Sequence, residues 1–390
     1  MILSLLIVII FILLSIKKPV YGLAFLISNL SIDTYLLFGV DTAFLVKALL
    51  LLSSILCCYR YGFKRNYIKI FLAACAFFAM SQISATYTSN YNFMNAVQSM
   101  LSIVLGLILT SITFKNDDKK IFLKTLSLLP YMSIILGMYG LHSLSFSGRY
   151  GAGTSTTNLS FIAAISCISL LALYNESKEN KYMTMSFLSL ALCFLTLTRG
   201  GILFCLVVLS PHFISIIRKL KRRQIAILAV LLIIAAMVIA NVGPALLARM
   251  HGSSGTLNAS GRIEAWAFIL SQNRQFWFGE GIGKLNTLTL VGAYIDHFNA
   301  AHNEFVRFYY ESGFLGLILL IVVFGNIFKE FIENNKLSKI QSLAIVLAFI
   351  IYALVDNIIS NNIFFVPFML YLNAACLNEN SRKVMLKWRR

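Results

Sequence analysis

The sequence predicts an all-α polytopic membrane protein with about twelve transmembrane helices, and three observations support this. Hydrophobic residues make up 59% of the 390 residues and charged residues only 12%, whereas a soluble domain carries about 25% charged residues. The mean hydropathy is +0.81. The apolar residues form continuous runs, which are typical of membrane helices, rather than the alternating pattern of a membrane β-barrel.

Twelve or thirteen apolar segments are long enough to be candidate spans. They lie near residues 2–16, 19–39, 42–59, 67–87, 95–114, 121–141, 158–175, 182–198, 200–218, 225–245, 304–328, 340–357 and 359–376. Within the first forty residues Asn29, Asp33 and Thr34 interrupt the pattern, and two short segments there fit a broken or re-entrant piece. We therefore predict membrane helices over 1–240, with the tenth segment ending near 245, a large external loop containing short amphipathic helices over 241–303, and membrane helices with a basic cytoplasmic tail over 304–390.

The basic residues predict the orientation of the chain. Of the 33 Lys and Arg residues, 25 lie in connections that alternate along the chain, as loops on one side must, and that side is cytoplasmic by the positive-inside rule. These connections are 17–18, 60–69, 115–124, 178–181, 218–223, 329–339 and 382–390. The net charge of +18 then reflects orientation and attraction to membrane lipids with anionic head groups. No basic stretch is interleaved with aromatics on a soluble domain, so a nucleic-acid partner is not expected.

The seven cysteines all lie in or at the ends of apolar segments, and no pair of them has metal-ligand or redox spacing. The external loop holds no carboxylate cluster that would bind Mg²⁺. We therefore expect no disulfide framework, no metal site and no cofactor.

Two arginines on the external side are unusual because they oppose the charge bias. Arg199 in "TRGG" separates two apolar stretches, and Gly200 and Gly201 permit a bend or a close approach of backbone. A guanidinium at that depth usually lines a cavity or meets an anion, although it can also snorkel at a tight turn. Arg149 in "SGRYGAGTSTTN" lies in a segment whose backbone N–H groups suit an anion or sugar hydroxyls, and the alternative is an ordinary flexible loop.

Arg262 opens "SGRIEAWAFILSQ", which predicts a short amphipathic helix along the membrane surface, capped by Ser260. Its predicted apolar face consists of Ile263, Trp266, Ala267 and Leu270. Arg262 would lie in the first turn, where the helix dipole favours an anionic ligand, unless it pairs with Glu264 or a lipid phosphate. The glycines of "FGEGIGK" lack the βαβ context of a nucleotide site and instead predict a turn that packs the loop onto the helices.

His302 closes the loop immediately before a span, a position where a histidine is more often a structural hydrogen-bonding group than a catalyst. The pattern around it changes that interpretation. In chain order, the sequence contains "GRYGAG", "TRGG", "SGRIEAW" and "GEGIG", and then His302-Asn303 followed, after nine residues, by Gly313 and Gly316. This ordered set of motifs resembles the family of O-antigen ligases and O-antigen polymerases. The resemblance covers roughly residues 145–330.

The resemblance implies a metal-independent glycosyltransferase of the GT-C type, at the periplasmic face of the bacterial inner membrane, with residues 241–303 as one large periplasmic loop. Its donor would be an oligosaccharide linked to undecaprenyl pyrophosphate. Its acceptor would be a sugar hydroxyl of another lipid-linked repeat unit in a polymerase, or lipid A-core in a ligase, and a protein that regulates chain length is a candidate partner. Arg199 and Arg262 would bind the pyrophosphate, with Arg149 and Asn303 as further substrate-binding candidates.

His302 is the predicted catalytic residue, with His297 in reserve and Asn303 or Glu304 as candidates to orient its ring. A neutral imidazole can take the proton of the acceptor hydroxyl, a contribution of roughly 10² to 10⁴ in rate, while arginines hold the departing charge. Direct displacement predicts inversion at the anomeric carbon. The segment "TSTTN" replaces the Pro-Asn common in polymerases, yet "GEGIG" and the His302 segment favour a polymerase. A lipid-linked oligosaccharide transporter is the more distant alternative, and it predicts an internal repeat, which the sequence does not display.

Overall fold

The computed structural model describes residues 2–30, 42–64, 72–76, 78–79, 82, 93–138, 155–217, 262–285 and 301–376. Regular structure in these ranges is helical apart from two isolated bridges, Phe63 with Ile112 and Asn335 with Cys376, which confirms the all-α class for this part of the chain. Twelve helices are named here. They are α1 (Ile2–Lys17), α2 (Pro19–Ser28), α3 (Thr42–Tyr61), α4 (Phe93–Ser111), α5 (Asn116–Met138), α6 (Thr156–Ser177), α7 (Asn180–Thr196), α8 (Arg199–Ile217), α9 (Arg262–Ser271), α10 (Glu304–Asn334), α11 (Lys339–Val355) and α12 (Asn362–Ala375).

Among the described residues, α6 and α10 are both long and apolar enough to cross a membrane. Six further apolar stretches are shorter, between 10 and 17 residues: Val8–Lys17, Pro19–Ser28, Ser99–Ser111, Arg199–Ile214, Lys339–Val355 and Asn362–Ala375. The number of spans therefore stays a prediction. Most predicted segments coincide with a helix to within a few residues, while the segment 225–245 lies outside the described residues.

The first forty residues depart from two full-length segments. The second helix, α2, ends at Ser28 rather than near residue 39, and its ten residues measure about 15 Å, half of a hydrocarbon core. α2 packs against α1, so closely that a Cβ on Gly22 would lie 2.0 Å from the Ser15 hydroxyl. Helix α2 is largely buried, whereas much of α1 is exposed; residues 31–41 lie outside the described residues, so the broken or re-entrant piece stays a prediction.

Helix α6 forms the centre of the bundle and packs against α5, α7, α8 and α12. It is buried along nearly its whole length, and its small residues let neighbouring backbones approach. Serines then join the helices: Ser166 donates to the Ser127 carbonyl oxygen of α5 at 2.6 Å, and Ser189 of α7 donates to Ser166 at 3.1 Å. These contacts fix the positions of the helix ends.

One end of the bundle gathers the basic connections, and we call it the basic end. Lys64 after α3 pairs with Glu330 of α10 at 3.1 Å, and Lys336 after α10 pairs with Glu176 of α6 at 3.3 Å. Lys119 of α5 donates to the Cys376 carbonyl oxygen after α12 at 2.9 Å, and the Lys18 ammonium also contacts the Asp118 carboxylate. The predicted cytoplasmic connections among the described residues thus lie together, in agreement with the alternation of charge along the chain, while 218–223 and 382–390 lie outside the described residues.

Candidate active site

The opposite ends of these helices meet in a second region, which we call the site end. There the Thr198 hydroxyl, just before α8, donates to the Thr156 carbonyl oxygen at the start of α6 (3.5 Å), and Asn361, the N-cap of α12, donates to Asn158 of α6 (3.5 Å). Helices α6, α8, α9, α10 and α12 begin at the site end, and α11 ends there. Since the N-terminus of a helix carries partial positive charge, this gathering favours an anionic ligand.

Two glycines fix the position of Arg199 at the site end. A Cβ on Gly200 would lie 2.3 Å from the Tyr352 ring of α11, and one on Gly201 would lie 1.8 Å from the Ser160 hydroxyl of α6. The backbone of the first turn of α8 therefore lies directly against α6 and α11, which confirms the predicted close approach. Arg199, the first residue of α8, is exposed beside the C-terminus of α11.

Arg262 is the first residue of α9, and its Nη1 donates to the carbonyl oxygen of Val355, the last residue of α11. Burial is the main influence on the guanidinium and lowers the pKa of Arg262; the Asp356 carboxylate opposes this effect, and the charge of Arg199 adds to it. Arg262 therefore lies within electrostatic range of one anion and one cation. Two guanidinium groups in one region suit a ligand with more than one negative charge.

The short helix α9 is present as expected, and its predicted cap, Ser260, lies outside the described residues. Its buried residues are Ala265 and Ile269, whereas Ile263 and Leu270 of the predicted apolar face are exposed, and the contact of that face with a membrane surface stays a prediction. Trp266 is anchored by its Nε1, which donates to the Ala301 carbonyl oxygen at 2.7 Å, beside His302. α9 thereby holds Arg262 and the His302 segment together.

His302 contacts an acid that sequence reasoning left unused. Its Nδ1 lies 3.2 Å from Oδ1 of Asp356, which also accepts from the Asn357 N–H at 2.9 Å. A carboxylate can only accept, so Nδ1 carries the proton and the lone pair of a neutral ring lies on Nε2. The His302 side chain is 35% exposed and that of Asp356 only 11%, so the acid orients the ring from the inside while the ring reaches solvent. His302 also has a left-handed backbone (φ +48°), which is uncommon outside functional sites and turns.

The side chains of Asn303 and Glu304 accept hydrogen bonds from backbone N–H groups. Asn303 is buried and caps α10, because its side-chain oxygen accepts from the N–H groups of Phe305 (3.0 Å) and Val306 (3.2 Å). Glu304 accepts from the N–H groups of the turn after α11, at Ile359 and Ser360. The structure therefore replaces Asn303 and Glu304 by Asp356 as the residue that orients the His302 ring. The substrate-binding role of Asn303 stays a prediction.

A buried ion triad supports the start of α10. Arg307 lies 3.6 Å from Glu304 and 3.2 Å from Glu311, and all three side chains are almost wholly buried. Glu311 also accepts from the N–H groups of Gly283 (3.0 Å) and Leu285 (3.4 Å). Through Glu304 the triad holds the turn that follows Asp356, and through Glu311 it holds the external loop.

The "FGEGIGK" segment fills a break in α10. Gly313 interrupts that helix with a positive φ of +66°, and the Tyr310 and Glu311 carbonyl oxygens accept from the N–H groups of Glu280 (2.8 Å) and Gly281 (2.9 Å). A Cβ on Gly279 would lie 2.5 Å from the Gly313 nitrogen. This contact confirms the predicted use of the glycines as a turn that packs the loop onto the helices.

Of the predicted site residues, the structure brings Arg199, Arg262, His302 and Asn303 to the site end. Arg149 and the reserve candidate His297 lie outside the described residues. Asp356 is the functional candidate that sequence reasoning set aside, because it could equally pair with Lys47 or snorkel to a nearby interface. One signal could have found it, since Asp356 is the single charged residue between Lys339 and Glu379.

A comparison with protein-family models matches residues 184–321, roughly a third of the chain, to the family described as Wzy_C, O-Antigen ligase. The matched range runs from within α7 to the middle of α10, beyond its break at Gly313, and it includes Arg199, Arg262 and His302. Asp356 lies beyond it. A search of curated proteins finds no match.

Proposed function

Because residues 184–321 belong to the O-antigen ligase family, whose members are membrane enzymes that transfer lipid-linked glycans, we propose that this chain is an O-antigen polymerase. It transfers a glycan from undecaprenyl pyrophosphate onto a sugar hydroxyl of another lipid-linked repeat unit. The reaction takes place at the periplasmic face of the bacterial inner membrane, and the site end is the active site. The apolar helices and the family match support an integral membrane protein.

One observation carries the proposal: consecutive residues at the end of α11 hold the two groups that the reaction needs. Val355 holds the guanidinium of Arg262, and Asp356 holds the imidazole of His302. A cation for a leaving diphosphate and a base for an incoming hydroxyl are thereby anchored to one helix terminus. Such pre-organisation lowers the reorganisation that the transition state requires.

On the donor side, the pyrophosphate leaves with the electron pair of the bond between its oxygen and the anomeric carbon. The negative charge that develops on that oxygen is held by Arg262 and by Arg199, which share one electrostatic environment. The helix N-termini of the site end add partial positive charge in the same region. Arg149 is a further candidate for this role from the sequence.

On the acceptor side, Nε2 of His302 takes the proton of the sugar hydroxyl while the hydroxyl oxygen forms a bond with the anomeric carbon. Asp356 is a positioning residue, because it keeps the proton on Nδ1 and stabilises the imidazolium that forms. Attack opposite the leaving diphosphate inverts the anomeric configuration. These steps use side chains of this chain alone.

Ligation onto lipid A-core is the second candidate, since the matched family is described as O-antigen ligase and a ligase uses the same donor chemistry. The "GEGIG" turn and the segment from His302 to Gly316, which together build the site end, look more like polymerases. "GRYGAGTST" and "LTLTRGG" look more like ligases. We therefore propose polymerisation as the first candidate, and the identity of the acceptor distinguishes it from ligation.

The test is to express the parent and His302→Ala in strains that lack either the polymerase or the ligase, and to compare the lipopolysaccharide ladders. If the parent restores long chains where single repeats were attached to core, it is a polymerase; if it restores attachment of any repeat to core, it is a ligase. His302→Ala should abolish the restored bands. His212→Gln is the matched control, because His212 contacts Gln341 near the basic end and should leave the ladder intact.

Arg199→Ala and Arg262→Ala complete the experiment. Both should impair use of the donor while the protein remains in the membrane at parental amounts. Normal ladders from both arginine variants would remove the pyrophosphate assignment. A ladder that is identical for the parent and His302→Ala would remove the catalytic assignment and favour a lipid-linked oligosaccharide transporter.

A further inference from the structure

A polar cavity of about 230 Å³ lies at the basic end, between α5, α6 and α7. One water molecule needs roughly 10 to 15 Å³, so the cavity has room for a chemical group of several heavy atoms. Lys120 and Lys124 of α5 line one side, and Lys181 and Tyr182 in the first turn of α7 line another. The last turns of α6 complete the lining. This cavity is at the opposite end of the bundle from the candidate active site.

The cavity keeps positive charge after its ion pairs are counted. Both of its lining acids have a cationic partner, because Glu179 contacts Lys181 and Glu176 lies 3.3 Å from the lysine that follows α10. Lys120 and Lys124, in contrast, form no ion pair with any residue that the structure describes. The contact with Lys181 is the main influence that lowers the pKa of Glu179, and the charge of Lys120 adds to it, so Lys120 lies within electrostatic range of the start of α7. Two cations therefore remain for an anionic ligand.

The exposed face of α5 changes from basic to apolar just past the cavity. Residues spaced by three or four positions lie on one face of a helix, and five such residues of α5 are all exposed: Lys120, Lys124, Leu128, Met132 and Ile135. The first two carry charge and the last three are apolar. This face therefore offers cations at the basic end and a hydrocarbon surface directly after them.

Helix α7, on the other side of the cavity, shows the same change. Lys181 lies in its first turn, and the later residues Leu188 and Leu195 are exposed. The Tyr131 hydroxyl of α5 donates to the Met185 carbonyl oxygen of α7 at 3.2 Å, so the two helices meet just past the cavity. On both helices the cavity thus lies where charged surface gives way to apolar surface. In the predicted orientation this is the level of the head groups in the cytoplasmic leaflet.

We propose that this cavity binds the head group of an anionic phospholipid from the cytoplasmic leaflet. The phosphate lies beside Lys120 and Lys124, and the acyl chains follow the exposed apolar residues of α5 and α7. A soluble anion would use the two lysines but not the apolar faces that continue from them. A zwitterionic phospholipid carries no net charge, so the lysines favour an anionic one. The site lies outside the candidate active site and does not depend on the proposed function.

The test is native mass spectrometry of the purified full-length protein in a neutral detergent, titrated with phosphatidylglycerol or with phosphatidylcholine. The parent should bind one phosphatidylglycerol more tightly than phosphatidylcholine. Lys120→Gln combined with Lys124→Gln should raise the Kd for phosphatidylglycerol roughly thirtyfold, since each lysine near a membrane surface contributes about five- to sixfold. The same double variant should leave the Kd for phosphatidylcholine unchanged. Equal Kd values of the parent for the two lipids would overturn the proposal.

The matched control removes the same charge from the same end of the bundle. Lys329→Gln combined with Lys339→Gln replaces two exposed lysines outside the cavity lining and should bind phosphatidylglycerol as the parent does. An equal loss in both double variants would assign the binding to the basic surface as a whole and overturn the proposal. Parental binding by the cavity variant would overturn it as well. As a second readout, phosphatidylglycerol should raise the unfolding midpoint of the parent more than that of the cavity variant, because a ligand of the folded state stabilises it.

A soluble phosphate ester offers the same head-group chemistry, and glycerol 3-phosphate tests it because it has the phosphate without acyl chains. At equal concentration it should not displace phosphatidylglycerol from the parent. Displacement would assign the cavity to a soluble phosphate ester and refute the lipid assignment. Absence of phosphatidylglycerol binding by the parent would refute it too.

Discussion

The two ends of the helix bundle use charge in different ways. At the basic end the Lys64 and Glu330 side chains, 3.1 Å apart, are 26% and 27% exposed; at the site end those of Arg307 and Glu311, 3.2 Å apart, are 8% and 3% exposed. An exposed pair contributes about 0 to 1 kcal/mol, whereas removing one partner of a buried pair costs about 3 to 5 kcal/mol. The Lys64–Glu330 pair thus suits orientation of the chain, whereas the Arg307–Glu311 pair suits a fixed geometry.

The choice of cation follows the same division. The ion pairs at the basic end are made by lysine, whose ammonium is a compact, well-hydrated charge that is suited to an aqueous surface. The site end uses Arg199, Arg262 and Arg307. A guanidinium is planar, keeps its charge when buried and can hold one partner while it faces another, as Arg262 does with Val355 and Asp356.

The largest expected effect is a loss of catalysis when Asp356, the buried acid beside His302, is substituted. Asp356→Asn should lower kcat by about 10² to 10⁴, because an amide that donates to Nδ1 places the ring proton on Nε2 and removes the base. The measurement is the initial rate of glycan transfer by purified protein with a lipid-linked donor. Asp118→Asn, which alters the buried acid of the basic end, is the control and should keep the parental kcat.

Binding supplies a second readout for Asp356. Since Asp356→Asn leaves the arginines in place, the KM for donor should change little while kcat falls. Parental turnover by Asp356→Asn would show that the acid is structural only, and the site end would then lose its distinguishing chemistry.

The next effect is on stability. Arg307→Met leaves two buried carboxylates facing each other and should cost about 3 to 5 kcal/mol, whereas Lys64→Met breaks a partly exposed pair and should cost at most about 1 kcal/mol. Thermal unfolding in detergent, followed by intrinsic fluorescence, measures both. Equal midpoints for the two variants would contradict the distinction between the two ends.

A smaller effect is expected where the loop enters the break in α10. Gly313→Ala places a Cβ 2.4 Å from the Trp277 carbonyl oxygen at a φ of +66°, and we expect a loss of about 1 to 3 kcal/mol together with reduced activity. Gly325→Ala on the same helix meets open space and should be neutral or slightly stabilising. Limited proteolysis of the 262–285 segment reports the detachment of the loop, and equal cleavage of both variants would refute the packing role of Gly313.

Much of the fold could be predicted because long continuous hydrophobic runs directly indicate helices. The predicted segments 158–175 and 340–357 match α6 and α11, and the described basic connections meet at one end as their alternation predicts. The break in α10 was not predicted. A break in a helix cannot be predicted from a continuous apolar run when it depends on a tertiary contact. Here the contact is with the "FGEGIGK" segment, whose N–H groups donate to the backbone carbonyl oxygens that the break leaves without a helical partner.

The candidate site could be predicted where a residue violates the pattern around it. Arg199 and His302 stood out as polar residues at apolar boundaries, and both lie at the site end. Asp356 also interrupts an apolar run, yet its partner His302 is 54 positions away in the sequence, and only the packing of α10 against α11 brings the two together. The hydrogen bond from Trp266 to the Ala301 carbonyl oxygen was missed for the same reason, because it is a tertiary contact.

The smallest expected effect separates the shape of the guanidinium from its charge. Arg262→Lys keeps the positive charge but loses the fork that holds Val355 while facing the donor, so the KM for donor should rise by about three- to tenfold with kcat nearly unchanged. Lys336→Arg makes the reverse exchange at the basic end, where its pair with Glu176 is partly exposed, and should change neither constant. Steady-state kinetics over a range of donor concentrations measures both variants. If Arg262→Lys behaved as the parent, charge alone would suffice at the site end, and the two ends would differ in burial but not in the kind of cation they require.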